Sequence, residues 1–158
     1  MRSSIKTGIG FGLTSGIITT LGLIVGLSSG THSKIVVIGG ILTIAVADSL
    51  SDSLGIHISE ESKGSNNLKN IWVATISTFL SKFIFALSFV IPVLFLDLSL
   101  AVVVSIIWGL LLLGAFSYYI ALENGDNVWS VIGEHLLIAV LVIVATHYIG
   151  RWISLLEV

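Results

Sequence analysis

The sequence predicts an all-α, integral membrane protein with five spanning helices in a single transmembrane domain, residues 1–158. Three observations predict it. The 158 residues are 55% apolar and only 10% charged, against about 25% charged in a soluble domain. Seven basic and nine acidic side chains are too few to wet the surface of a globule this size, and mean hydropathy is +1.09. Five apolar runs, each near the roughly 20 residues that cross about 30 Å of hydrocarbon, are separated by short polar loops.

The first helix is expected over about residues 8–27, GIGFGLTSGIITTLGLIVGL, and ends at the polar loop from Ser28 to Ser33. The second is expected over about 35–62, where the apolar half ends at Ala47 and polar residues enter while the helical pattern continues. KGSNNLK, Lys63 to Lys69, reads as a loop because Gly, Ser and Asn favour turns. The third helix is expected over about 70–96 with Pro92 near its end, where a membrane helix tolerates a kink. Asp97 marks a turn before the fourth, about 99–122, and ENGDN separates it from the fifth, about 128–155. Trp72, Tyr118, Tyr119, Trp129 and Trp152 fall near helix ends, as interfacial anchors do.

Lys and Arg in the flanks set the orientation. With the N-terminus cytoplasmic, Arg2, Lys6, Lys63 and Lys69 lie inside and Lys34 and Arg151 outside, the bias that membrane insertion favours. A net charge of −2 offers no basic field for nucleic acid. Cysteine is absent, which excludes disulfides, thiolate metal sites and a Cys nucleophile. Neither a nucleophile elbow nor HExxH occurs, so no enzyme is expected. The first apolar run is long, has no small-residue cleavage site and leads into further spans, so no cleaved signal peptide is expected.

Asp48 and Asp52 are the sharpest chemical signal. Four apart, they project from one helix face. An ionised carboxylate in hydrocarbon costs at least several kcal/mol, and two like charges repel. A cation or a shared proton relieves both problems, and oxygen ligands suit Mn²⁺, Fe²⁺ or Mg²⁺. The alternative is that the helix has left the membrane there and both acids are wet. Lys82 lies in mid-span and requires an acidic partner, Asp48 or Glu134. Ser15, Ser51, Ser59, Glu60, Glu61, Lys82 and Glu134 are the accessory candidates for a polar or proton path. Gly8, Gly12 and Gly16 recur every four residues, as do Gly22 and Gly26, and such ridges let helix backbones approach closely. They pack either within the protomer or between two copies; the expectation taken forward is a homodimer with these five glycines at its interface.

Three stretches resemble the vacuolar iron transporter family, and specifically its small prokaryotic members: GLTSGIITTLGLIVGLSSG, ADSLSDSLGIHISEES and VIGEHLLIAVLVIVATHYIGRWI. Their order and the five-span count extend the resemblance over the chain. It implies a homodimer of five-helix protomers in a prokaryotic plasma membrane, exporting cytosolic Fe²⁺ or Mn²⁺ in exchange for protons, with no permanently bound cofactor. Where that family carries Asp-Gly in its first helix this chain has Ser15-Gly16, and the Glu-rich cytoplasmic insert between helices two and three is replaced by Lys63 to Lys69. The other functional classes that fit are a non-transporting membrane scaffold and a metal-binding channel or sensor.

Overall fold

The computed structural model describes residues 2–63 and 67–156. Six helices form among the described residues: α1 (Arg2–Thr31), α2 (Lys34–Ser62), α3 (Leu68–Ser88), α4 (Val90–Phe95), α5 (Leu98–Asn124) and α6 (Val128–Ser154). No strand occurs among the described residues. Helices α3 and α4 are two parts of one span, so five segments are long and apolar enough to cross a membrane. Each rises about 40 Å at 1.5 Å per residue, more than the roughly 30 Å of hydrocarbon.

The ends differ from expectation by a few residues. The first helix starts at Arg2 rather than near Gly8, because Ser3 to Thr7, polar apart from Ile5, are compatible with a helix. Hydropathy marks where lipid contact begins, not where the backbone stops coiling. The third span breaks at Phe89, whose N–H turns back to Ala86 O. Pro92 lies one turn after Ser88 and has no N–H to bond its carbonyl, which interrupts the ladder.

Tight reversals join the spans. His32 adopts φ 51° between α1 and α2. Gly125, at φ 74°, ends α5 in the left-handed region that glycine adopts without strain, and Asp126 N–H closes on Ala121 O at 2.9 Å. Asn127 caps α6 by accepting from Trp129 N and Ser130 N.

Helix α1 is the central post. It packs most closely along α3 and α6, and α2 and α5 also touch it. Leu13, Ile17, Leu21 and Ile24 of α1 form the core with Val37 and Ile41 of α2, Phe89, Val93 and Leu113. The glycine ridges explain this centrality, because they meet α3 and α6 of the same protomer. A Cβ on Gly8 would stand 2.5 Å from Ala74 O, and one on Gly12 2.5 Å from Thr78 O. One on Gly16 would stand 3.2 Å from the Lys82 side chain. Gly22 meets Val142 and Thr146 of α6, and Gly26 meets Thr146. All five glycines therefore face neighbours within the protomer, and at Gly8, Gly12 and Gly22 α1 lies closer to α3 and α6 than a Cβ allows.

A second small-residue row faces the other way. Gly39, Thr43, Ala47, Ser51, Gly55 and Ser59 of α2 are all exposed, and nothing lies within 4 Å of where a Cβ would sit on Gly39 or Gly55.

Candidate functional site

The middle of the bundle holds one ionic cluster. Asp48 lies halfway along α2 and Asp52 one turn beyond it; Lys82 lies halfway along the α3–α4 span, and Ser15 near the midpoint of α1. Close packing of α1 on α3 brings them together. Gly8, Gly12 and Gly16 meet Ala74, Thr78 and Lys82, two rows with the same four-residue spacing, so the Lys82 stem runs past the bare face of Gly16.

The Lys82 side chain is 1% exposed, that of Asp52 21% and that of Asp48 28%. Its ammonium has three N–H donors. One goes to Ser15 Oγ at 2.9 Å and one to Asp52 Oδ2. Ser15 Oγ donates in turn to Asp52 Oδ2 at 2.7 Å, closing a ring of three side chains from three helices. Asp48 Oδ2, itself buried, lies 2.5 Å from Lys82 Nζ. Both carboxylates thus pair with the ammonium, and only Asp52 is held by Ser15 as well. Against water the pair Lys82–Asp52 would gain little, but in a low-dielectric interior attraction and desolvation are both large.

The cation expected between the two carboxylates is therefore supplied by the chain itself. Like-charge repulsion between Asp48 and Asp52 and the cost of burying them are both offset by Lys82. Among the described residues no group of three or more His, Asp or Glu side chains is placed to hold a metal. Two carboxylates and the Ser15 hydroxyl are the oxygen donors that the cluster offers a visiting cation, once the ammonium moves aside.

The remaining candidates lie apart from it. Ser51 is exposed on α2, on the rim of a groove that reaches Asp48. Ser59 is exposed near the end of α2. Glu60 pairs with Lys63 at 2.6 Å, and Glu61 approaches His57 Nε2 at 3.4 Å. Glu134 is exposed on α6 and forms no ion pair with Lys82. Three polar pairs escaped sequence reasoning: His57 Nδ1 with Thr75 at 2.9 Å, His135 Nδ1 with Ser117 at 2.7 Å, and His147 Nδ1 with Ser29 at 2.8 Å. Each joins two helices side by side. Lone His and Ser residues far apart in sequence carry no signal that they meet.

No protein family model, curated protein or solved structure matches this chain. The resemblance to the vacuolar iron transporter family rests on the three stretches of residues that carry it.

Proposed function

We propose that the protein is a membrane cation transporter in which Asp48 and Asp52 hold the travelling ion and Lys82 takes its place between loads. The observation that carries this reading is Lys82, fully buried at mid-span between two carboxylates. Ionisable side chains at that depth are costly and mark ion pathways. A lysine in the cation position gives the empty carrier a low-energy resting state: an arriving ion displaces an ammonium instead of filling a bare, repelling carboxylate pair. The cargo of this reading is Fe²⁺ or Mn²⁺, leaving the cytosol against protons, as the resemblance implies. Carboxylate and hydroxyl oxygens suit such ions. Metal ligands must be deprotonated, so protons and metal compete for the same two acids.

Proteoliposomes test it. Wild-type protein should move Mn²⁺ or Fe²⁺, faster with an opposing pH gradient, and the Asp48→Asn, Asp52→Asn double variant should fold and move none. Wild-type vesicles that pass no more metal than empty ones would remove the reading.

One observation favours the scaffold instead. The cluster's charges meet partners on α2 and α3, and Ser15 ties in α1, all inside one protomer, so it also works as an ionic clamp on three helices. Under that reading the wild type is silent in the flux assay, while the double variant changes only stability.

A further inference from the structure

The cluster is closed on three sides and open on the fourth. Two carboxylates and one ammonium leave a single excess negative charge. Asp48 is the member that faces the opening. It lines a groove of about 610 Å³ between α1 and α2, with Thr19, Leu23, Thr43, Ala47 and Ser51. Thr43, Ala47 and Ser51 are on the exposed side of α2, so the groove opens laterally at mid-span. In a bilayer that direction is hydrocarbon, with lipid headgroups roughly 15 Å away, half the core thickness. A headgroup therefore does not reach Asp48.

The chemistry of the groove defines what fits it. Its volume lies within the roughly 300–1,000 Å³ of small-molecule sites. Its walls are largely apolar, so an occupant needs an apolar body. Its one charged lining residue is a carboxylate with excess charge behind it: Oδ2 is buried against Lys82, and the other oxygen, Oδ1, accepts no hydrogen bond among the described residues. The occupant therefore needs one positive charge and an N–H donor to go with it. Lys82 is such a group built into the chain: a primary ammonium on a hydrocarbon stem.

We propose that this groove binds lipophilic protonated amines, which enter from the hydrocarbon and set their ammonium on Asp48. The Lys82–Ser15–Asp52 ring stays intact, and the cluster becomes electrically neutral. The site needs only Asp48, so it does not depend on a metal cargo, which needs both acids.

The test uses octylammonium as probe, on the full chain in nanodiscs with empty nanodiscs as the partition control. Saturable binding by equilibrium dialysis and a rise in melting temperature, followed by tryptophan fluorescence, are expected for wild type. Asp48→Asn should weaken binding at least tenfold. Ala47→Leu, which fills the mouth of the groove and leaves the ionic cluster alone, should do the same. Octyltrimethylammonium, charged but without an N–H donor, should bind at least tenfold more weakly, and octanol should show no saturable binding. Equal affinity in wild type and in the correctly folded Ala47→Leu variant would overturn the proposal, as would saturable octanol binding. So would efficient disulfide formation between two copies carrying Ser51→Cys, because the groove would then be covered by a second copy. None of these measurements reads metal flux, so amine binding stands or falls separately from metal transport.

Discussion

Lys82 inverts the charge logic that Asp48 and Asp52 suggest when α2 is considered alone. The need for an acidic partner was legible, because a lysine at mid-span cannot stay unpaired among apolar side chains. Of the two acids expected, Asp48 meets the lysine and Glu134 does not, while Asp52 joins unannounced, since the full set depends on how α2 and α3 are rotated about their axes. On α2 alone, two like charges demand an external ion; adding one residue from α3 removes the demand. The energetics give a test. Removing one partner from a buried ion pair costs about 3–5 kcal/mol, whereas replacing the whole group with neutral side chains is often neutral or stabilising. Lys82→Met should therefore lower thermal stability in detergent sharply. Adding Asp48→Asn and Asp52→Asn to it should recover most of the loss. If the triple variant melts as low as the single one, the cluster is not the stabilising unit that its geometry indicates, and Lys82 matters through its stem packed beside Gly16.

Two small-residue rows with the same four-residue spacing have opposite fates, and sequence alone does not separate them. On α1, Gly8, Gly12 and Gly16 are pressed against the α3 backbone; on α2, Gly39 and Gly55 face open space. Spacing announces a smooth ridge, but only the neighbouring helix decides whether the ridge is used inside the protomer. Helix existence was more legible than helix use: each of the five spans is where its apolar run lies, and Pro92 marks the one that breaks. The two rows should respond differently to the same change. Gly12→Ala drives a methyl group to 2.5 Å from Thr78 O, so α1 and α3 must separate. Overpacking of this kind costs about 1–3 kcal/mol, and it also pulls Lys82 away from Ser15. Gly39→Ala and Gly55→Ala meet nothing, and replacing glycine in a helix interior gains up to about 1 kcal/mol. Thermal unfolding of the three single variants should place Gly12→Ala below wild type and the two α2 variants at or above it. A destabilised Gly55→Ala would show that something covers that face.

Alternation of the spans fixes which loops share a side of the membrane, and two polar contacts agree with it. Lys6 near the start of α1 pairs with Glu123 at the end of α5, and Lys34 at the start of α2 donates to Leu94 O and Leu96 O at 2.9 and 3.0 Å, at the end of α4. The first contact therefore belongs to the face carrying Lys63 and Lys69, the second to the face carrying Arg151. Insertion counts Lys and Arg near the spans and is nearly blind to Asp and Glu. Glu60 beside Lys63 and Glu123 beside Lys6 thus do not cancel the bias of Arg2, Lys6, Lys63 and Lys69 over Lys34 and Arg151. The face with four basic residues should be cytoplasmic. The chain has no cysteine, so single reporters are unambiguous. Ser99→Cys, exposed at the start of α5, should react with an impermeant thiol reagent on intact cells. Lys69→Cys, exposed at the start of α3, should react only after the membrane is opened. The reverse pattern would put Lys34 and Arg151 inside. It would also turn the cluster round, because Asp52 lies one turn closer than Asp48 to the Lys63 face. An ion arriving from the cytosol would then meet Asp48 first, on the side of the pair that lacks the hydrogen-bonded ring, and not the Asp52 carboxylate already held by Ser15 and Lys82.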